Sequence, residues 1–289
     1  MSILNSVTLG MFYIQTALTL RDAMLLNSIL VSSESWPSIT VKQLKALEDV
    51  DISLFRKIFN SQMNSNKVLF FIETAKQPLR FSLSKRRLMF LHHLLTRDSN
   101  ELIKKIYEVQ KIKKTKGDWY LITNMEREKY SIHFTDNEIS QMSKLKFKKI
   151  VNEAVNKVAF EYLIQIAKSQ SKCKDILDNL KSGNLYMQKY LKTELLIKEE
   201  QQMLYSLRTN SYPVKANFRS QFSDMTCRTC SDTSTYENIQ HLLQCDSLTD
   251  KLDVTKVKIN DIFGSLADQV RFIKVFKKIS TKRKLMLEL

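Results

Sequence analysis

The chain of 289 residues sets 46 Lys and Arg against 30 Asp and Glu, for a net charge of +16, and is 43% apolar. So one-sided a charge selects polyanions as the natural partner class, nucleic acid or phospholipid, while the apolar content is enough for a sizeable core. Four scattered glycines and three prolines exclude a Gly-rich phosphate loop and argue against a sheet-rich fold, leaving helices joined by polar loops.

The first twenty residues carry no charge, but Asn5, Ser6, Thr8, Gln15, Thr16 and Thr19 interrupt the apolar run, and no basic leader or cleavage site accompanies it. A buried helix continuing through Leu25, Leu26, Ile29 and Leu30 is expected rather than a signal peptide or a membrane span. After Trp36-Pro37, Thr40 and Gln43 have capping-box spacing and should open a helix through Leu44 and Leu47. Asp51 reads as a second cap, for a helix bearing Leu54, Phe55, Ile58 and Phe59. Residues 67–74 are β-prone in content yet flanked by helical pattern, so strand and helix both stay open. Pro78 suits a helix start, with Leu83, Leu88, Leu91 and Leu95 following at helical intervals. Adjacent His92 and His93 point about 100° apart on such a helix, one to the core and one to solvent. Asp98 should cap the next helix, to Lys113, and 111–117 reads as a charged linker.

A second capping box, Thr135 to Glu138, opens a region where Phe147, Ile150, Val151, Ala154, Val158 and Tyr162 form an apolar stripe. Opposite it Lys144, Lys146, Lys148, Lys149 and Lys157 form either a solvated face or a track for phosphates. Another helix is expected from Lys198 to Arg208. The acidic pairs Asp49/Asp51 and Glu199/Glu200 suit helix caps or exposed faces and support no two-metal site.

Near the C-terminus, Cys227, Cys230, His241 and Cys245 form Cys-x2-Cys-x10-His-x3-Cys, using three of the four cysteines. A Cys-x2-Cys turn supplies two thiolates from one loop, and His and Cys four apart share a helix face, so the donors suit tetrahedral Zn2+. Four protein ligands leave no open position, which makes such a zinc structural. Packing of unpaired cysteines is the competing reading; a redox pair lacks a βαβ setting, and the odd Cys173 speaks against a disulfide framework. Cys173 is expected to be a plain exposed or packing thiol. The last basic stretch, 271–284, holds seven cations and no acid, with Phe272, Val275, Phe276 and Ile279 on one face. Lys274, Lys277, Lys278, Lys282, Arg283 and Lys284 would then face nucleic acid, with an anionic membrane surface as the alternative.

The run Phe71 to Phe81 (FIETAKQPLRF), followed by Arg86 to Arg97 (RRLMFLHHLLTR), resembles the segment after the polymerase palm in reverse transcriptases of non-LTR retrotransposons. Leu26 to Leu30 through Trp36 is similar to their thumb, and the cysteines with Glu237 and His241-Leu242-Leu243 to their zinc knuckle. The palm's aromatic-x-Asp-Asp signature is missing from this sequence, as is the family's endonuclease. The resemblance therefore implies a C-terminal piece without catalysis of its own, gripping RNA or DNA, possessing a structural Zn2+, and working with the remainder of a reverse transcriptase. It also implies a phosphate role for Lys85, Arg86 and Arg87.

The expected fold class is mostly α: a multi-helix elongated body with a small CCHC zinc-knuckle module and a basic C-terminal helix. The expected divisions are thumb-like helices over 1–62, a helical linker over 63–208, the knuckle over 209–250 and the basic tail over 251–289. Nuclear or cytoplasmic work without integral membrane association is expected. Tyr212, Phe218 and Phe222 are the candidate base-stacking positions. A domesticated protein-interaction adapter and a decayed element without selected function are the alternatives.

Overall fold

The computed structural model describes residues 13–36, 38–62, 65–178, 180, 185–230, 235–250, 254 and 257–288. Among these residues the fold is mostly helical and contains no strand beyond one isolated bridge, Thr226 with Tyr236. The expected N-terminal helix runs from Ile14; residues 1–12 lie outside the described ones. It consists of α1 (Ile14–Leu20), a π-helical turn (Arg21–Leu25) and α2 (Leu26–Ile29). Ile14, Ala17 and Leu18 bury its inner face.

α3 (Val41–Phe59) starts at the expected capping box, with the Thr40 side chain accepting from Gln43 N–H and Gln43 reaching back. It then runs unbroken through Asp51, correcting the expected second cap. Asp51 is buried in mid-helix, where its two oxygens accept from Arg21 Nε at 2.6 Å and Nη2 at 2.5 Å. A carboxylate that has found a guanidinium thirty residues away no longer competes for its own backbone. Burial pushes the Asp51 carboxyl up, with Arg21 opposing.

The open question at 67–74 resolves to α4 (Lys67–Thr74), capped by the Asn66 side chain accepting from Val68 N–H at 3.1 Å. Seven of its eight residues are buried, Val68 to Thr74. A helix enclosed on every side shows no amphipathic period, which is why its sequence looked strand-like. Phe70 stacks between Phe55 and Tyr205, with centroids 5.6 and 5.5 Å away.

α5 (Leu79–Leu95) begins after Pro78, as expected. His92 is buried, its Nε2 2.9 Å from Met142 O, and His93 is exposed beside Arg97. α6 (Leu102–Lys113) is preceded by Glu101 rather than capped by Asp98, whose carboxylate instead accepts from Asn100 N–H in the turn before it. α7 (Trp119–Lys129) and α8 (Asp136–Gln141) follow, α8 opening at the expected Thr135/Glu138 capping box. Ser143 then caps a separate α9 (Lys144–Lys168). The buried stripe of α9 is Phe147, Val151, Val155, Ala159, Leu163 and Ala167, a strict four-residue period; Ile150, Ala154, Val158 and Tyr162, expected in it, lie on its shoulder.

α10 (Lys174–Asp178), α11 (Lys198–Arg208), α12 (Ile239–Gln244), α13 (Asp246–Thr249) and α14 (Leu266–Glu288) complete the described α-helices, with short 3-10 turns between some of them. Two cores are strung along α9, whose 25 residues span about 37 Å. Phe147 to Ala159 pack with α5, Tyr107, Trp119 and Ile139. Leu163 and Ala167 belong to the second core, with α1, α3, α4, α11, α12 and α14. Helices from both ends of the sequence thus share one interior.

That interior holds a buried ion pair. Glu73 on α4 accepts from Arg208 Nε and Nη2, both at 2.9 Å, and from the Tyr190 hydroxyl at 2.7 Å. Arg208 Nη1 also donates to Ile262 O at 2.6 Å, and its guanidinium lies over the Phe263 ring at 4.8 Å. Glu73 is fully buried and Arg208 nearly so. Burial opposes the Arg208 charge, but Glu73 outweighs it and raises the guanidinium above its ordinary value. Burial likewise pushes the Tyr190 hydroxyl well up.

Candidate metal centre and basic surfaces

Cys227 and Cys230 sit on a loop held by short-range backbone pairing. Cys227 N–H donates to Thr235 O at 3.1 Å, and Glu237 N–H to Met225 O at 2.9 Å, so residues 225–227 and 235–237 run antiparallel. Asn238 then caps α12, its side chain accepting from His241 N–H at 2.8 Å. This places His241 in the first turn and Cys245 at the end of the helix, on the side facing the loop.

The four donor atoms of Cys227, Cys230, His241 and Cys245 lie within 4.8 Å of one another. Zn–S bonds of about 2.3 Å and a Zn–N bond of about 2.0–2.1 Å, arranged tetrahedrally, separate sulfur from nitrogen by about 3.6 Å and two sulfurs by about 3.8 Å. Cys230 Sγ and His241 Nε2 are 3.5 Å apart, so the set needs at most a modest contraction to close on an ion. Burial resists ionisation of the Cys227 thiol, yet hydrogen bonds from the Thr229 hydroxyl and from the Thr229 and Cys230 N–H groups, with His241, outweigh it. They hold the thiol down at about 7. Thiolate formation near neutral pH is what a metal-ligating cysteine requires. The cluster could therefore hold a metal ion with three thiolates and one imidazole. Cys173 stands apart as a buried packing thiol, beside Asn66 Nδ2 at 3.0 Å, and is not exposed.

Behind the loop lies Glu237, fully buried. It accepts from Arg228 Nε at 2.8 Å and Nη2 at 2.7 Å, from Arg228 N–H at 3.2 Å, and from Arg283 Nη2 at 2.6 Å. Burial raises the carboxyl, but Arg228 and Arg283 more than reverse this and bring it down to about 2. One carboxylate thus ties the metal loop to α14. The resemblance alone attached Glu237 to the cluster; of the two arginines that hold it, Arg228 is nine residues back and Arg283 is 46 residues further on.

The cations divide into two groups. Arg283 is buried on Glu237, and Lys274 and Lys277 grip the buried Glu200 of α11 at 2.8 and 3.1 Å. These three hold α14 against the protein; Arg283 is thereby withdrawn from the surface it was expected to share, whereas Lys274 stays exposed and Lys277 half-buried, and Glu200, which caps α11 as expected by accepting from Ile197 N–H at 3.2 Å, is buried rather than exposed. Lys278 and Lys284 are exposed and Lys282 half-buried; Lys284 meets Glu288 at 3.7 Å. The Lys85-Arg86-Arg87 triplet also turns inward. Arg87 is buried and donates to Trp36 O at 2.6 Å, Arg86 donates to Leu30 O and Asn27 Oδ1, both at 2.7 Å, and Lys85 donates to Asn156 Oδ1 at 2.7 Å. Burial lowers both Lys85 and Arg87 from their ordinary values.

Lys144, Lys146, Lys148, Lys149 and Lys157 are all exposed along α9. Of the stacking candidates, Tyr212 is buried against Phe276 and donates to Ser280 Oγ at 2.7 Å, so it is closed to a base. Phe218 and Phe222 keep partial exposure, under Lys172 and Arg228 respectively.

Among the described residues no helix is long and apolar enough to cross a membrane. The chain matches no protein-family model, no curated protein and no solved structure.

Proposed function

We propose that the chain is a nucleic-acid-binding protein without catalysis of its own, stabilised by a structural Zn2+ on Cys227, Cys230, His241 and Cys245. The same reading makes it comparable to the C-terminal thumb, linker and knuckle of a non-LTR retrotransposon reverse transcriptase. The observation that carries it is the bank of exposed lysines on the first half of α9, Lys144, Lys146, Lys148 and Lys149, on a chain of charge +16. Four cations crowded into two helical turns repel one another, and a phosphate backbone relieves that repulsion while releasing its condensed counterions. Lys278, Lys282 and Lys284 extend the basic surface. Four cysteine and histidine donors within 4.8 Å of one another would fill a tetrahedral shell and leave no position for water, which supports a structural metal rather than a hydrolytic one.

The test is titration of a short RNA hairpin and a DNA duplex at several salt concentrations. Affinity should fall linearly on a log-log plot, and Lys144, Lys146, Lys148 and Lys149 replaced together by Gln should flatten the slope by about three to four phosphate contacts' worth. Binding that is indifferent to salt, or a quadruple variant with the wild-type slope, refutes the proposal.

A further inference from the structure

α6 is inverted relative to an ordinary surface helix. Tyr107 is its one fully buried residue, while Leu102, Ile106, Val109 and Ile112 point outward with 73%, 48%, 48% and 80% of their surface exposed, and Ile103 joins them at 38%. Leu102, Ile106 and Val109 follow a four-then-three spacing, the seam of a two-helix contact. A contiguous apolar stripe of this kind is rare on a monomer's surface.

We propose that this face pairs with α6 of a second copy of the chain, antiparallel, around a two-fold axis between Ile106 and Val109. The charges beside the seam choose this occupant. Set Ile106 opposite the partner's Val109: Glu101, at the start of the helix, then comes level with the partner's Lys113 and Lys114 at its end. On one flank Lys105, which makes no ion pair among the described residues, meets the partner's Glu108; within their own chain Glu108 and Glu101 have only long surface contacts, with Lys104 at 3.8 Å and Arg97 at 3.5 Å, which a partner's lysine can supplement. Every such contact occurs twice, as an isologous interface requires, and antiparallel pairing also sets each helix's positive end beside the other's negative end. A parallel arrangement would place Lys105 on Lys105 and Lys113 on Lys113. An anionic membrane or a nucleic acid would meet Glu101 and Glu108 flanking the apolar stripe. The exposed apolar residues amount to on the order of 500 Å2 per copy, or about 1,000 Å2 across the two-fold, the lower end of specific interfaces.

Sedimentation equilibrium of the full chain, without nucleic acid, over a range reaching about 100 µM tests it. A monomer–dimer equilibrium is expected. Ile106→Glu with Val109→Glu, both at exposed positions, should weaken it at least about tenfold while leaving the melting temperature of the monomer unchanged. Lys105→Glu alone and Glu108→Lys alone should each weaken the dimer, and the two together should restore it. A chain that stays monomeric at the highest concentration overturns the proposal. So does a dimer unaffected by the paired glutamates, or one in which the charge swap fails to rescue.

Discussion

Glu73→Gln removes the charge at the centre of the second core while keeping its shape. In the wild type one fully buried carboxylate accepts two hydrogen bonds from Arg208 and one from Tyr190. The amide oxygen can still accept one hydrogen bond, but the NH2 group replaces the second acceptor, and the guanidinium, 4% exposed, is left with that neutral oxygen, Ile262 O and Gln188 Oε1 and with no counter-charge. Breaking a buried pair in this way costs about 3–5 kcal/mol, because the remaining ion is left uncompensated. At an unfolding entropy of about 2.1 cal/mol/K per residue, a chain of this size unfolding as one unit loses about 0.6 kcal/mol per degree, so 4 kcal/mol lowers Tm by about 7 °C. Urea unfolding followed by far-UV circular dichroism measures the loss, and a heat scan checks the conversion. Replacing both partners, Glu73→Leu with Arg208→Leu, removes the stranded charge and should recover at least half of the deficit. A loss under about 1 kcal/mol for Glu73→Gln would show that water reaches this pair and that it does not organise the core.

The metal centre should bind about one Zn2+ per chain by elemental analysis, and Cys245→Ser should abolish it; retention of the full metal content by that variant would exclude Cys245 as a ligand. Chelation should lower the melting temperature of the wild type and leave Cys245→Ser unmoved. Glu237 is held down to about 2 against an ordinary carboxylate value near 4.5. A depressed carboxyl stabilises the fold above its unfolded value, and the contribution disappears as pH falls through the folded one. The stability gap between wild type and Glu237→Gln, measured in chelator, should therefore be about 3 kcal/mol at pH 7 and shrink between roughly pH 4.5 and pH 2. A gap independent of pH would mean that Glu237 acts through packing alone.

What could be read in advance was what short stretches of chain decide for themselves. Thr40 and Thr135 lie three residues before their Gln and Glu partners, so both capping boxes appear as written. The phenylalanines of α14 and the cysteine and histidine spacing are equally local. The misreadings arise where a polar residue's partner is remote. Asp51 has the type of a cap, but Arg21 takes it into the interior. Arg283 looks like part of a basic surface until Glu237, 46 residues away, turns it inward, and Lys274 and Lys277, still open to solvent, are drawn onto Glu200, 74 and 77 residues away. α4 escaped for another reason: complete enclosure leaves no polar face to set a period.

The carboxylate of Glu237 has a further effect. Arg228, between the first two cysteines of the cluster, and Arg283, near the end of α14, both donate to Oε1 of the same buried group, so ordering of the cysteine loop and seating of the terminal helix draw on one equilibrium. Linkage is reciprocal. Whatever fastens α14 to the body would tighten the grip of the four donors on a metal ion by the same factor, and loss of that ion would loosen the helix that carries Lys278, Lys282 and Lys284. A site four residues wide would thereby set the freedom of basic residues more than thirty positions beyond it in sequence.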